Sequence, residues 1–294
     1  MKKFIILTPL FNDWKSVSKL LLEIDLQVVE WDAEVSVIII NDASTEVKPD
    51  LKKDYKKLKL IKILNMKKNT VHQRCIAAGL KYIYENENFD RVIVMDGDGE
   101  DRPEELNDFF IKAKENPDKT ITGNRFKRSE GLLFTILYEA HKLLTLIFTG
   151  KLIKFGNFTC LPKNHVKQLI QKPYLWNSYS SSVVRAINDR AYIPSKRGLR
   201  YVLPSKMNFI GLVLHSLNII SVFRNKVIFR SIIFMLAYLF FIFIFNINIF
   251  YPLFFLLAFV LIILKISMRT NMKALEKSLE NIGSIDILDS FNSR

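Results

Sequence analysis

Cysteine is scarce in this chain of 294 residues, which contains only Cys75 and Cys160. Two cysteines provide neither a disulfide framework nor the close spacing of a zinc site, and they favour a reducing compartment. Histidine is scarce too, and none of its four copies belongs to a His/Cys/Asp cluster with zinc spacing. We therefore expect satisfied helix histidines, rather than ligands, at His72, His141, His165 and His215.

We expect no cleavable leader at the start of this sequence. The apolar run at the N-terminus, Met1 to Leu7, is too short for a signal peptide and has no small-residue cleavage site. We expect it to form a first strand, and we expect the globular part of the chain to stay on the cytoplasmic side.

Acidic residues are fewer than basic ones, and the formal net charge is +14. Such a charge suits nucleic acid, an anionic membrane face or a phosphate-bearing substrate. Nucleic acid is disfavoured because the basic residues cluster beside apolar segments and loops rather than alternating with aromatics on a polar surface. Nine lysines between Lys48 and Lys68 predict an exposed helix, solvated or against anionic lipid, followed by a strand from Leu58 to Leu64.

Strand and helix patterns alternate through the first half of the chain. Short β-branched runs such as 34–40 and 92–95 are separated by segments with helical spacing of apolar residues. This alternation predicts an α/β fold, with a mostly parallel sheet and helices on both faces.

Carboxylates crowd the end of one predicted strand, in Asp96-Gly97-Asp98-Gly99-Glu100. Glycine allows the sharp turns that let acid side chains converge, and hard oxygen ligands suit Mg²⁺ or Mn²⁺. The carboxyl end of a parallel strand is also where open α/β sheets bind ligands. A solvated polar loop is the alternative interpretation.

Other loops could contact the remaining parts of a phosphorylated substrate. Polar residues after two more strands, at 8–13 and 41–45, could bind a nucleobase or ribose or could simply cap helices. Arg125 and Arg128 could clamp a phosphate because guanidinium groups match its oxygens. The basic loop from Tyr192 to Lys206, which includes Arg197, fits a phosphorylated group that enters and leaves.

The longest feature is an uncharged apolar segment from Ser231 to Leu264. A single helix of that length would run to about 50 Å, beyond a hydrocarbon core of about 30 Å. Two spans with a turn near Asn246 to Pro252 fit better, with both basic flanks in the cytoplasm. We expect an amphipathic helix before the pair and a loose cytoplasmic helix after Arg269, and a buried soluble hairpin is the alternative.

Taken in order, these stretches resemble the family 2 glycosyltransferases with the GT-A fold, in particular polyprenyl-phosphate glycosyltransferases related to dolichyl-phosphate mannose synthase. Residues 8–13 resemble the first nucleotide-binding loop of this family, and residues 41–44 resemble the family's Asp-Asp-Gly-Ser motif. His72-Gln73-Arg74 matches the helix after the third strand, and 95–104 resembles the metal and diphosphate motif. Residues 123–125 with Arg128 resemble the acceptor-phosphate element, and 205–207 sit where the family has Gly-x-Ser-Lys.

The resemblance implies a role for each matching residue. The metal would be bound by Asp96, Asp98 and Glu100, and the nucleotide sugar by Pro9, Phe11, Asp13, Asp42, Arg74, Asp96 and Gly97. The acceptor phosphate would be bound by Arg125, Arg128, Arg197 and Lys206. The catalytic candidates are Asp98, Arg125 and Arg128.

The implied protein is a multi-pass enzyme of the inner, or cytoplasmic, membrane. A GT-A catalytic domain (1–206) would precede an amphipathic juxtamembrane helix (207–230), a transmembrane hairpin (231–264) and a cytoplasmic tail (265–294). It would transfer a sugar from a nucleotide-diphosphate sugar to a polyprenyl phosphate, mostly with inversion in this family, and the short spans leave room for homo-oligomers. Alternatives are a glycosyltransferase acting on a glycolipid or growing glycan and a non-catalytic membrane scaffold.

Overall fold

The structure is a computed structural model that describes residues 1–127, 132–202, 209–246 and 249–289. Two predicted site residues, Arg128 and Lys206, lie outside the described residues. The strands are β1 (Lys2–Leu10), β2 (Ala33–Asn41), β3 (Leu58–Met66), β4 (Arg91–Val94), β5 (Thr120–Lys127), β6 (Thr159–Pro162), β7 (Arg190–Lys196) and β8 (Ile282–Asp289). The α-helices are α1 (Trp14–Val28), α2 (His72–Asn86), α3 (Leu106–Glu115), α4 (Leu132–Thr149), α5 (Lys163–Ile170), α6 (Tyr179–Ala186), α7 (Phe209–Ser221), α8 (Arg224–Phe245), α9 (Tyr251–Ser267) and α10 (Met272–Glu276).

Within the described ranges, one sheet has the strand order β7-β5-β6-β4-β1-β2-β3-β8. The pairs β4-β1, β1-β2, β2-β3 and β5-β7 are parallel, whereas β6 and β8 run antiparallel to their neighbours. Side chains alternate across the sheet: Phe4 and Ile6 join a core that includes α1 and α3, and Ile5 and Leu7 join a core that includes α2. The predicted α/β fold with helices on both faces is confirmed.

The predicted helix across the lysine-rich segment is wrong. Residues 47–57 form no helix, while the predicted strand after them is present as β3. Only Leu51 in this stretch is buried, and one such residue cannot supply the apolar stripe that holds a surface helix to a core. The buried carboxylate of Asp25 instead accepts the backbone N–H groups of Lys56, Lys57 and Leu58 at 2.8–2.9 Å, which fixes the chain where β3 begins.

Four apolar helices pack together beside the sheet. Phe148 of α4, Ile220 of α7, Val227 of α8 and Ile263 of α9 form one small cluster. The Arg230 guanidinium donates to the carbonyl of Ile147 at 2.7 Å, so α8 caps the C-terminal end of α4. A helix is present in the segment predicted to be amphipathic, as α7, but it ends at Ser221, and residues 224–230 already belong to α8.

The uncharged segment forms two helices, as predicted. Asn246 ends α8 in the left-handed conformation with φ of 50°, and Pro252 lies in the first turn of α9. Both α8 and the helical segment that starts with α9 are long and apolar enough to cross a membrane. Most of their large apolar side chains are exposed, including Phe243 at 81% and Phe254 at 78%.

The tail after Arg269 is not a loose helix, and that prediction is wrong. After the short α10, the chain enters β8, which pairs antiparallel with β3 from Leu60 to Met66. Leu275 of α10 is fully buried in the core that includes α2. Burial of Leu275 and pairing with the edge of β3 hold the tail against the sheet. Both interactions involve residues distant in sequence, so the local pattern of the tail did not reveal them.

Candidate active site

The acidic loop, residues 96–101, lies where the carboxyl ends of β1 and β4 meet. Gly97 is pressed against β1, since an added Cβ would lie 3.0 Å from Thr8 Oγ1 and 3.3 Å from the Pro9 carbonyl oxygen. Gly99 has φ of +88°, a conformation that L side chains rarely adopt. Both glycines therefore let the loop fold back on the sheet edge, and the predicted residues Pro9 and Gly97 are neighbours.

Asp96 is bound by two residues from other elements. Its Oδ1 lies 3.0 Å from Nε2 of His72, at the start of α2, and accepts the amide of Asn157 at 2.9 Å. Burial alone would raise the pKa of Asp96, but His72, Asn157 and Arg125 lower it below its ordinary range. Asp96 therefore stays ionised beside a polar network.

The same network extends through the buried Gln73. Its amide nitrogen donates to Asn157 Oδ1 at 3.2 Å, and its amide oxygen accepts the backbone N–H of Tyr179 at 2.7 Å. The first two residues of α2, His72 and Gln73, thus hold Asp96 directly and through Asn157.

Asp98 and Glu100 face the basic loop after β7. Arg200 Nη1 lies 2.7 Å from Asp98 Oδ2 and 3.8 Å from Glu100 Oε1, and Arg197 forms an ion pair with Glu100. Burial and the charges of Asp96 and Glu100 raise the pKa of Asp98 to about 6, against the effect of Arg200. The carboxylates therefore repel one another even with two arginines beside them.

Arg125, on β5, reaches the acidic loop from the other side. Its Nη2 lies 3.4 Å from Oδ1 of Asp101, which is only 2% exposed and also accepts the backbone N–H of Asp96 at 2.9 Å. Burial and the Asp96 charge raise the pKa of Asp101, and Arg125 opposes that rise. Gly156 makes room for the guanidinium, because a Cβ there would lie 2.8 Å from Arg125 Nη2.

The two nucleotide loops that the sequence predicted are joined to each other. Asn12 receives the backbone N–H of Thr45 at 2.7 Å and donates its own backbone N–H to Ser44 Oγ at 2.9 Å. Phe11 beside it is 44% exposed, and Asp13 Oδ2 lies 3.9 Å from Arg200 Nη2. Asp13 is thus connected to the acidic loop through Arg200, which also contacts Asp98. The nucleotide-binding roles of Phe11 and Asp13 stay predictions.

Asp42 and Arg74 are engaged elsewhere. The carboxylate of Asp42, 2% exposed, accepts the backbone N–H groups of Thr70 at 2.6 Å and Val71 at 3.0 Å. The Arg74 guanidinium lies 5.2 Å from the centre of the Trp176 ring, and burial, with the nearby Arg269 charge, lowers its pKa. Their nucleotide-binding roles stay predictions.

Several residues at the site were not selected from the sequence: His72, Gln73, Asp101, Asn157 and Arg200. His72 was expected to be an ordinary helix histidine, yet it contacts Asp96. The signal that could have identified it is its place at the start of the helix after the third parallel strand, at the same sheet edge as Asp96. Its neighbour Arg74 is two positions away and so points elsewhere.

The donor set suits a hard divalent cation. Asp96 and Asp98 offer carboxylate oxygens, and the buried hydroxyl of Thr8, next to Gly97, has no hydrogen-bond partner among the described residues. Across residues 1–127, 132–202, 209–246 and 249–289, however, no three His, Cys, Asp or Glu side chains already converge as a ligand group. In this conformation Asp98 and Glu100 face arginines.

Comparisons with known proteins agree on the family and the fold. The model of the family described as glycosyl transferase family 2 matches residues 5–172, more than half of the chain. No curated protein sequence matches the chain.

Three similar solved structures are of glucosyl-3-phosphoglycerate synthase from Mycobacterium tuberculosis. The complex with Mn²⁺, UDP-glucose and phosphoglyceric acid is 12% identical with a TM-score of 0.52, over 77% of this chain and 80% of that one. The complex with Mn²⁺, UDP and phosphoglyceric acid is 10% identical with a TM-score of 0.54, over 77% and 78%. The complex with Mg²⁺ and UDP is 10% identical with a TM-score of 0.50, over 76% and 79%. At these identities the likeness establishes the GT-A fold.

Proposed function

Since the chain belongs to glycosyl transferase family 2 and is therefore an enzyme that uses a nucleotide sugar, we propose that its acceptor is a polyprenyl phosphate held in a lipid bilayer. The observation that carries this proposal is the apolar hairpin of α8 and α9, which is joined at both ends to the sheet that bears the site. On one side α7 leads into α8, and on the other the chain continues from α9 to β8.

The hairpin supports a membrane location because its side chains reverse the usual pattern of burial. Large apolar residues along α8 and α9 are exposed, and no charged residue occurs between Ser231 and Leu264. Water would penalise such a surface, whereas the hydrocarbon core of a bilayer would not. Arg224, Lys226 and Arg230 before the hairpin, and Lys265 and Arg269 after it, favour cytoplasmic flanks.

The shared attachment of both hairpin ends to one sheet agrees with this orientation. A strand that returns to pair with β3 requires both ends of the hairpin on the same side of the membrane. We therefore place the catalytic part, 1–206, and the tail, 265–294, together in the cytoplasm at the inner membrane. Residues 207–230, which include α7 and the basic first turns of α8, would lie at the lipid surface where the hairpin enters. The tail in this arrangement is part of the catalytic sheet.

The donor diphosphate is proposed to lie against the acidic loop. Asp96 and Asp98, with Glu100 in support, would hold Mg²⁺ or Mn²⁺, which neutralises charge on the leaving diphosphate. Arg200 bridges Asp13 and Asp98, and Phe11 is exposed two residues before Asp13. Phe11 would stack on the nucleobase through its exposed face, and Arg200 would turn towards phosphate oxygens.

The acceptor phosphate is proposed to bind on the Arg125 side. Arg125 lies 3.4 Å from the buried Asp101, so its guanidinium is fixed at the border of the loop. Arg197, paired with Glu100, would approach from the other side. Arg128 and Lys206 keep their predicted roles in this proposal, although they lie outside the described residues.

In the proposed reaction an oxygen of the acceptor phosphate forms a bond to the anomeric carbon of the sugar. The bond between that carbon and the donor diphosphate breaks, and the nucleoside diphosphate leaves with the electron pair. The acceptor is already anionic near neutral pH, so no side chain needs to remove a proton. Arg125 would hold the acceptor phosphate beside the anionic donor against their mutual repulsion. Orienting the two substrates in this way accelerates the transfer.

The test uses membranes that contain the protein, Mg²⁺ or Mn²⁺, undecaprenyl phosphate and a panel of labelled nucleotide sugars. We expect acid-labile label in the organic-extractable lipid, lost when EDTA is added. Label found only in another glycolipid or in polymeric glycan would contradict a polyprenyl phosphate acceptor and favour transfer to a glycolipid or growing glycan. Absence of transfer or hydrolysis with every donor would contradict the enzyme and favour a scaffold.

A further inference from the structure

The C-terminal strand brings one side chain to the segment that leads into the active site. The pairing of β8 with β3 shifts in register between Asn65 and Met66, where a regular ladder would weaken. Beyond that irregularity, the pairing is extended by Asn281, the residue before β8. Its carbonyl oxygen accepts the backbone N–H of Lys67 at 2.7 Å.

The side chain of Asn281 forms a bracket on the next residue, Lys68. Its Oδ1 accepts the backbone N–H of Lys68 at 3.1 Å, and its Nδ2 donates to the backbone carbonyl of Lys68 at 2.9 Å. Both backbone groups of Lys68 are thus satisfied by one amide that is 213 positions away in sequence.

The far end of the same segment is held by Asp42. Its two carboxylate oxygens accept the backbone N–H groups of Thr70 and Val71, and its own carbonyl accepts the amide of Asn69 at 3.2 Å. Residues 67–71 are therefore fastened at one end by Asn281 and at the other end by Asp42.

Val71, inside this fastened segment, has a strained backbone. Its φ is +77°, although a β-branched side chain disfavours positive φ strongly. The side chain is 63% exposed, so little packing offsets the strain. A backbone conformation of this kind persists only when its surroundings fix it. Here the backbone N–H of Val71 donates to Asp42 and to Asn69 Oδ1 at 3.2 Å, and Asn281 holds the segment before it at Lys68.

The strained residue immediately precedes α2, whose first two residues hold the acidic loop. The carbonyl of Val71 accepts the backbone N–H groups of Arg74 at 2.9 Å and Cys75 at 3.2 Å, which begins the helix. His72 then contacts Asp96, and Gln73 contacts Asn157. A rotation at Val71 would move both side chains relative to Asp96.

We propose that Asn281 is a positioning residue for the donor side of the active site. By bracketing Lys68 it keeps Val71 in its strained conformation, and so it keeps His72 and Gln73 in register with Asp96 and Asn157. The proposal rests on the proposed function for its effect on donor binding. It gives the C-terminal segment, which follows the hairpin, a role in a site formed by residues that precede the hairpin.

The test compares the full chain, in detergent or lipid nanodiscs, with Asn281→Ala, Val71→Gly, the double variant and Lys277→Ala. Lys277 is the matched control, because it is exposed in the same turn and touches neither 67–71 nor the site in the described contacts. One readout is hydrogen exchange at Thr70 and Val71, and the other is calorimetric binding of UDP with Mn²⁺.

We expect Asn281→Ala to accelerate exchange at Thr70 and Val71 about tenfold and to weaken UDP binding by a similar factor, since two hydrogen bonds are lost. Exchange in β4 should not change, and Lys277→Ala should match the unaltered chain in both readouts. Adding Val71→Gly to Asn281→Ala should restore binding to within about threefold, because glycine adopts positive φ without a bracket.

Two results would overturn the proposal. One is an Asn281→Ala chain with unchanged exchange at Thr70 and Val71. The other is loss of protection throughout the sheet without rescue by Val71→Gly, which would indicate a purely structural role. If the unaltered chain fails to bind UDP or any other nucleoside diphosphate, the donor assignment is wrong, while the exchange readout still decides the role of Asn281.

Discussion

The acidic loop after β4 and the hairpin of α8 and α9 differ most in their content of charged residues. In the loop, buried and half-buried carboxylates lie within 4 Å of histidine or arginine side chains from α2, β5 and the segment after β7. In the hairpin, no charged residue occurs from Ser231 to Leu264, and apolar side chains are exposed instead. A charge in the loop is stabilised by oppositely charged partners, whereas a charge in the hairpin would have none. The loop therefore suits a polar site, and the hairpin suits an apolar environment.

The strongest test of this contrast removes a charge where the loop uses it. Asp98→Asn should lower the rate of sugar transfer by about 10²–10³-fold, the range for loss of one preorganised electrostatic contact. Steady-state transfer measured with saturating donor and Mn²⁺ checks this. Asp54→Asn, at an exposed position outside the site, is the control. A rate near that of the control would contradict the role of Asp98.

The complementary test adds a charge where the hairpin has none. Leu236 in α8 and Leu26 in α1 are almost equally exposed, at 61% and 62%. Leu236→Lys should cost about 2.5–3.5 kcal/mol if lipid surrounds it, and Leu26→Lys should stay within about 0.5 kcal/mol. The fraction of protein that resists alkaline extraction from membranes measures the first effect, and thermal unfolding measures the second. A Leu236→Lys chain that resists alkaline extraction as well as the unaltered chain would contradict a bilayer around α8.

A third test asks which substrate depends on the arginine of β5. Arg125→Ala should raise the apparent KM for polyprenyl phosphate about 10–100-fold, the range for loss of hydrogen bonds to a charged group. The KM for the nucleotide sugar should change much less. Initial rates with each substrate varied in turn separate the two. A larger change in the donor KM would move Arg125 to the other side of the site.

The smallest expected effect concerns an ion pair on the surface, outside both the acidic loop and the hairpin. The Lys48 ammonium, hydrogen-bonded to Asp286 of β8, lowers the pKa of that carboxyl. Because the folded pKa lies below the unfolded value of about 3.9, the pair stabilises the fold above that pH and loses its effect as the pH falls. Solvent screens such a pair, so Asp286→Asn should destabilise by less than about 1 kcal/mol. Hydrogen exchange in β8 should therefore separate the variant from the unaltered chain at pH 6.5, and the difference should shrink as the pH falls below about 3.9.

Local patterns predicted much of the fold because the interactions that decide those elements are themselves local. β1, β2 and β4 are short apolar runs between polar loops, and α8 and α9 are apolar stretches divided at Asn246. The acidic loop was found for the same reason, since its residues are consecutive. Prediction failed where a partner is remote: β8 forms only because β3 offers an unpaired edge, and 47–57 is not a helix because Asp25 binds its end.

Within the site, the sequence indicated which strand ends carry polar residues but not how their side chains face one another. His72 and Arg74 lie two positions apart on α2, and the helix turns one towards Asp96 and the other towards Trp176. Nothing in their local sequence distinguishes them, because the choice depends on how α2 packs against the sheet.

The sequence by itself determined the α/β class, the position of the acidic loop, the excess of positive charge and the uncharged hairpin. These follow from residue types and short spacings, which act through hydrophobic burial and backbone geometry. Only the tertiary structure decided that His72, Arg125 and Arg200 surround the acidic loop and that the tail joins the sheet as β8. The reason is physical: a charged or hydrogen-bonding side chain is satisfied by whichever partner the fold brings within about 3 Å, and that partner can lie anywhere along the chain.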